Sequence, residues 1–281
     1  MIAGPGESTD PTESTEYLEF VDVSVTDLVA TVTLRRPPVN ALSAPMMREI
    51  ARVFTTLSRG TSAAVAILTA SGDRVFCAGA DIGESDRRYN RRELLPSESV
   101  ADLVDPGEVV RDCFFSISGG ALPVIAAVNG AAVGAGVALV ASCDIVIASS
   151  NAVFALPEID VGVLGGGRHM QRLVGPFKAR EMMFTGRRMT ADELFTHGSV
   201  SQVVPPAQLP EAALSVARVI AGKSPLALRL AKQAMNRVEH LPLEDGYRLE
   251  QDYTARVSRL DDALEARRAR QEKRDPTWTW R

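Results

Sequence analysis

The sequence predicts an α/β protein with a mixed, mainly parallel core and a helical C-terminal third. Three observations predict it. Short runs rich in β-branched residues alternate with helical patterns up to about Gly175. Small residues crowd the steps where a buried run passes into a helix, at 77–80 and 130–136. Beyond Gly175 the periodicity turns almost wholly helical.

The elements follow in order. Tyr17–Val25 and Leu28–Leu34 alternate in polarity with Thr26-Asp27 between them, which predicts a hairpin or two successive strands. Arg36-Pro37-Pro38 ends the second run, because proline brings no N–H to a ladder. Ser43 reads as an N-cap with Pro45 just inside a helix that runs to about Leu57. Ala64–Thr69 is a short buried strand, followed by the turn Ser71-Gly72-Asp73 and an apolar step at Val75-Phe76. Residues 84–107 are polar and charged, and a helix then leads to about Ile117. Pro123–Val128 and Asp144–Ala148 are further strands around a Gly-rich helix. The helices expected after Gly175 are Phe177–Thr185, Ala191–His197, Pro210–Ala221, Ser224–Val238 and a single long one from about Leu243 to Lys273. Residues 1–16, rich in Gly, Pro, Ser, Thr and Glu, are expected to be a disordered tail, with 17–200 as the α/β core and 201–281 as a helical region.

Composition excludes several classes. An apolar fraction of 46% and a charged fraction of 23% are ordinary for a soluble globular chain. A net charge of -4 leaves no electrostatic footprint for nucleic acid or an anionic membrane. Cys77, Cys113 and Cys143 are odd in number and widely spaced, which fits neither a disulfide framework nor a zinc or other metal site. They read as small buried hydrophobes in a reduced, cytoplasmic compartment. The N-terminus lacks the basic start and apolar core of a signal peptide. Val124–Ala148 is apolar enough to suggest a membrane span, but Asn129, Gly130, Gly134, Gly136 and Asp144 interrupt it and favour a protein core. The only lysines are Lys178, Lys223, Lys232 and Lys273, which argues against Schiff-base and phosphate-loop chemistry in the first 177 residues.

Three segments carry the chemistry: Phe76–Ile82, Asn129–Gly136 and Phe154–Gly162. In the first two, small residues follow a buried strand and open a helix, a geometry that leaves backbone N–H groups unpaired at the positive end of the helix dipole. Such donors can stabilise an oxyanion. Either segment alone reads first as a tight strand-to-helix turn that needs glycine, and together they are more informative. Gly134-Ala135-Gly136 lacks the third glycine of a dinucleotide fingerprint. Glu158, after Pro157 in an apolar run, is either a surface carboxylate at a strand end or a partly desolvated base whose pKa burial would raise.

Taken together the segments resemble the enoyl-CoA hydratase/isomerase (crotonase) family. Arg36–Leu42 is similar to that family's first motif, Phe76–Ile82 to its A-G-A-D-[IL] segment, and Pro123–Gly136 to its P-V-I-A-A-V-x-G-x-x-x-G-x-G segment. Phe154–Gly162 is similar to F-x-x-P-E-x-x-x-G, Gln171-Arg172-Leu173 to Q-R-L, and Thr185–Met189 to T-G-x-x-[IM]. The resemblance runs in order from about Val21 to Arg274. It implies a crotonase-like spiral of ββα turns with a C-terminal helical trimerisation region, assembled as a homotrimer or a dimer of trimers. It implies an acyl-CoA thioester as substrate, with no cofactor beyond the coenzyme A that the substrate carries. The Ala80 and Ala135 amides would form an oxyanion hole and Glu158 would be the acid/base. CoA would lie along Ala41, Ala78, Ala80, Asp81, Ile82 and Gly83, with Ala135 against the thioester. Lys273 and Arg274 would either neighbour the phosphates or form a solvated helix face.

The sequence departs from the family where its hydratases carry a first glutamate, three residues after Ala135. That position is Ala138 here. The further acid of the dienoyl isomerases would fall at Gly166. Asp160 could assist Glu158 only if the segment is extended. His169 stands where ordinary hydratases have glycine and where a ring-opening hydrolase branch has histidine. The stretch 84–107 is longer than usual, which suggests a bulky or unusual acyl group. The expectations are therefore an enoyl-CoA isomerase or hydratase, a hydrolase or dehydratase acting on an unusual or cyclic acyl-CoA, or a non-catalytic acyl-CoA binding protein.

Overall fold

The computed structural model describes residues 18–84, 100 and 104–281. The expected tail at 1–16, and most of the polar stretch 84–107, lie outside the described residues. A hairpin opens the fold: β1 (Val21–Thr26) pairs antiparallel with β2 (Val29–Leu34) in the register Thr26↔Val29. Asp27 and Leu28 both take positive φ, 51° and 62°, so the turn follows the twist of the strands.

Three strand-turn-strand steps then repeat, each followed by a helix. Their first strands are β3 (Val65–Ala70), β5 (Val124–Val128) and β7 (Ile145–Ser149). Their second strands are β4 (Val75–Cys77), β6 (Ala131–Val133) and β8 (Val153–Ala155). Each first strand joins one sheet and each second strand another. The larger sheet has the order β1-β2-β3-β5-β7-β10, parallel from β2 onward, with β10 at Gln202–Val204. The smaller has the order β4-β6-β8-β9, its edge supplied antiparallel by β9 (Arg188–Thr190). This is the spiral of ββα turns that the family resemblance implies.

The larger sheet is buried on both faces, which is why β3, β5 and β7 read as continuous apolar runs. On one face Ala66, Leu68, Ala126 and Val128 meet α1 (Ala44–Arg59), α2 (Glu108–Ser118) and α3 (Ala135–Ser142). On the other, Val65, Ile67, Ile125 and Ile147 meet α6 (Leu209–Ala221) through Leu209, Ala213 and Ala217. Ser43 caps α1 as expected, its hydroxyl accepting from the Met46 N–H at 3.3 Å.

The helical third differs from expectation in three places. β9 and β10 interrupt it, and β10 and α6 pack on the main sheet although they lie near or past residue 200. Helix α4 (Gly167–Thr185) begins eight residues before Gly175, where non-helical backbone (φ 74°, ψ 172°) marks a kink just before Pro176. α5 (Ala191–Thr196) follows. The expected long helix is two, α8 (Leu243–Ser258) and α9 (Asp261–Glu272). Leu260 is extended between them, and the fully buried Asp262 carboxylate takes the Thr279 N–H (2.8 Å), the Thr279 hydroxyl (3.1 Å) and the Ser224 hydroxyl (3.2 Å). These tie the C-terminal segment back onto the body. Among the described residues no helix is long and apolar enough to cross a membrane.

α7 (Pro225–Val238) fastens the layers with two buried cations. Arg229 donates to Gly60 O (3.1 Å) and Ala63 O (3.0 Å) at the end of α1, and its guanidinium lies 4.8 Å from the Trp280 ring centroid. Lys232 donates to Ile117 O (2.8 Å), Leu122 O (2.9 Å) and the Asp144 carboxylate (2.8 Å), and Asn236 donates to Ser118 O (2.6 Å). The carbonyls left open at the C-termini of α1 and α2 thus find cationic or amide partners. The Lys232 side chain is 4% exposed and the Asp144 side chain 23%. Lys232→Met takes the cation from two carbonyls and from that carboxylate, which keeps the Val124 N–H at 2.7 Å, and is expected to cost about 2–4 kcal/mol in urea unfolding at fixed protein concentration. A change within about 0.5 kcal/mol would show that the cation fastens nothing.

Candidate active site

The turns that end β4, β6 and β8 converge, because all three strands are parallel neighbours in the small sheet. After β6 the chain turns into α3 through Gly134, at φ 55° and ψ -116°, a conformation that side chains disfavour. A Cβ built there would lie 2.7 Å from Glu158 Oε1. Glycine is therefore required twice, by the backbone and by the carboxylate pressed against it. Built Cβ atoms on Gly165 and Gly166 would lie 3.5 and 3.7 Å from the same oxygen. Glu158 thus sits between the N-terminus of α3 and the loop leading into α4.

The other oxygen, Glu158 Oε2, is buried and finds no hydrogen-bond partner among the described residues. Burial raises the Glu158 pKa above its ordinary value of 4.5, opposed only in part by a backbone hydrogen bond from its own residue. The side chain is held by a helical turn over Pro157–Val161.

The third partner is the turn after β4. Gly79, at φ 103°, brings this turn so close to the second that its built Cβ would lie 3.1 Å from Val133 O and 3.7 Å from Ala135 N. The first-motif strip is stitched alongside: Ala78 N–H donates to Val39 O (3.0 Å), Leu42 N–H to Gly79 O (2.8 Å) and Asp81 N–H to Leu42 O (3.0 Å). The amides of Ala80 and Ala135 take no acceptor among the described residues. Two unpaired N–H donors and a desolvated carboxylate are therefore gathered at the ends of three neighbouring strands.

The pattern of the enoyl-CoA hydratase/isomerase family matches residues 25–281. The chain belongs to this family. It is 38% identical over 228 residues to a (7aS)-7a-methyl-1,5-dioxo-2,3,5,6,7,7a-hexahydro-1H-indene-carboxyl-CoA hydrolase of Rhodococcus jostii, covering 81% of this chain and 84% of the relative. It is 35% identical over 260 residues to a carnitinyl-CoA dehydratase of Proteus mirabilis, covering 90% and 95%. The crystal structure of an enoyl-CoA hydratase from Bacillus anthracis superposes with a TM-score of 0.83 at 31% identity, covering 94% of this chain and all of that one.

Against that family pattern, Ala80 and Ala78 are exposed, Ala41 and Asp81 half-buried, and Ile82 and Gly83 exposed along the strip. A pocket of about 640 Å³ flanks it, lined by Phe20, Arg36, Pro38, Ala41 and Asp81 among others. Ala138 is buried in the first turn of α3, its N–H on Gly134 O at 3.2 Å, and brings no carboxylate. Asp160 does not meet the condition set for it, since its segment is helical rather than extended. Its carboxylate lies against Gly186 instead, with Oδ2 3.0 Å from the Cβ built there.

His169 falls in the first turn of α4, three residues beyond Gly166. Its ring meets Phe114 edge-on at 5.2 Å, and no hydrogen bond joins it to Glu158. Burial, with Arg172 and Arg168 nearby, lowers its pKa below 6.5, so the ring is neutral at neutral pH. Cys77 lies beneath the first turn with its thiol pushed up to about 12 by burial, which leaves it inert. Arg274 is held by Glu265 at 2.6 and 3.0 Å and by Glu272 at 2.6 Å.

The raised Glu158 pKa has a signed consequence. Between 4.5 and the folded value, the native carboxyl keeps a proton that the unfolded chain releases, so stability falls as pH rises through this window. Glu158→Gln removes that penalty. Its melting temperature is expected to match wild type below pH 4.5 and exceed it at neutral pH. A difference that does not change with pH would contradict the desolvated carboxylate.

Proposed function

We propose that this protein carries out one-base chemistry on the enolate of a CoA thioester, with Glu158 as the acid/base and the Ala80 and Ala135 N–H groups as oxyanion donors. The observation that carries this reading is the buried, unpartnered oxygen of Glu158 beside those two free amides. Ala138 removes the second carboxylate that paired hydration needs, and one base suffices to move a double bond. Glu158 takes the C2 proton of a 3-enoyl-CoA, the amides hold the dienolate oxygen, and the same carboxyl returns the proton to C4. The substrate's CoA would lie along Ala41 and the 78–83 strip. The trimeric assembly belongs to the same proposal, supported by large apolar side chains left open on the monomer, Phe177 at 84%, Phe184 at 72% and Leu243 at 87% exposure.

A second reading is favoured by the hydrolase named among the relatives and by the neutral, half-buried His169. In a cyclic β-keto acyl-CoA, water adds to the ring ketone as a base takes its proton. The Cα–Cβ bond then breaks, its electrons pass to the thioester enolate, and the proton is returned to Cα. The ketone carbon becomes a carboxylic acid that stays tethered to the thioester through the rest of the opened ring. This also needs one base and one oxyanion hole.

Glu158→Gln should lower turnover of 3-enoyl- or trans-2-enoyl-CoA by about 10²–10⁴-fold with CoA-thioester binding retained. Undiminished turnover would remove Glu158 from the chemistry, and measurable wild-type turnover excludes a purely binding role. His169→Ala, assayed by mass spectrometry on a cyclic β-keto acyl-CoA, should slow ring opening while sparing isomerisation. Unchanged ring opening would leave His169 as packing for Phe114.

A further inference from the structure

We propose that Arg36 is a positioning residue for the site, a latch that holds the Ala80 N–H in its donating orientation. The inference rests on the oxyanion reading of Ala80 and Ala135. The Ala78–Asp81 turn is exposed at Ala78 and Ala80, contains Gly79 at positive φ, and is joined to the Val39–Leu42 strip by three backbone hydrogen bonds. Leu42 bonds both neighbours of Ala80, donating to Gly79 O and accepting from Asp81 N–H. In such a parallel pairing the residue between points its own N–H away from the partner strand. The direction of the Ala80 amide therefore depends on these two strips staying in register.

Arg36 is placed to keep them so. Its Nη1 donates to Ala41 O at 2.8 Å, on one strip, and its Nη2 to Asp81 Oδ2 at 2.8 Å, on the other. The planar fork spans both at once, which a lysine ammonium does not reproduce. Both side chains are more than two-thirds shielded, at 28% and 29% exposure, so the pair is less screened than a surface one. The other Asp81 oxygen accepts from Glu84 N–H at 3.1 Å, and Glu84 accepts from Ala44 N–H at 2.8 Å in the first turn of α1. The base of the latch is equally fixed. Arg36 N–H donates to Asn40 Oδ1 at 2.9 Å, and buried Asn40 reaches Val75 O at 3.2 Å. Arg36 thus couples, through Asn40, the start of β4 to an amide of the site without touching the reacting atoms. Arg35, adjacent in sequence, turns the other way, to the exposed Asp22 carboxylate and to Glu19 O at 3.3 Å.

The test uses acetoacetyl-CoA, a β-keto thioester whose enolate is read by near-ultraviolet absorbance and whose binding is read by calorimetry. Wild type is expected to bind it with an enolate fraction raised over that in solution. Arg36→Met should bind it within about threefold of wild type yet lose about tenfold in enolate at fixed pH, with kcat on the working substrate down about 10–100-fold and KM little changed. Arg36→Lys should recover only part. Asp81→Asn, nearly isosteric, should repeat the loss and serves if Arg36→Met does not fold. Asp22→Asn should behave as wild type. A wild-type enolate fraction in Arg36→Met, or an equal loss in Asp22→Asn, would overturn the latch. No enolate enhancement in wild type would instead overturn the oxyanion reading, and the latch with it.

Discussion

The proposed chemistry depends on one close approach, that of the Glu158 carboxylate to the backbone of Gly134. A single added carbon would stand 2.7 Å from Oε1, so the carboxyl reaches its place only because the turn into α3 has no side chain. The same turn frees the first amide of α3, since a helix leaves its leading N–H groups without internal partners. Gly79 repeats the device from the neighbouring turn. The proposed base and donors are thus consequences of one packing arrangement, in which three parallel strands end side by side and tight turns bring their backbones together. Burial then does what the neighbours do not. It leaves Oε2 unpartnered and pushes Glu158 toward a pKa useful for moving protons.

That arrangement needs a frame that does not shift, and much of it is held by polar contacts inside the fold. Arg229 and Lys232 reach from α7 to the ends of α1 and α2. α2 carries Phe114, the neighbour of His169, and α4 carries His169 itself. Arg172 on α4 donates to Ala141 O at 2.6 Å and so ties that helix to the last turn of α3. The elements that flank the candidate base are therefore fastened to one another behind the site. Asp262 does the same for the C-terminal segment.

The core strands were legible in the sequence because β3, β5 and β7 are buried on both faces and announce themselves as apolar runs, as in Val124–Val128. Their spiral arrangement followed from the family resemblance. Ser43 with Pro45 announced a helix start for a local reason, the cap. Glu158 stood out because a carboxylate after Pro157 contradicts its apolar surroundings. What stayed hidden was set by partners distant in sequence. Arg229 and Lys232 have the spacing of an ordinary charged helical face, and only the carbonyls of α1 and α2 explain their burial. β10 is three residues long and becomes a strand by pairing with β7. The break at Leu260 follows from Asp262 meeting Thr279, and Gly165-Gly166-Gly167 concealed the start of α4. Asp160 was weighed as a helper on the assumption of extended backbone, and the helical turn after Pro157 separates it from Glu158. Arg36 was visible as the end of a strand and the start of a family motif but not as a latch, since that closes on a residue 45 positions away.

The central claim is that Glu158 moves protons at the carbon next to a thioester carbonyl. The most direct measurement is exchange of the Cα hydrogens of a saturated acyl-CoA in D2O, followed by mass spectrometry, with no turnover required. The account predicts that wild type washes deuterium into Cα and that Glu158→Gln does so at the uncatalysed rate. Equal exchange by both proteins would contradict it.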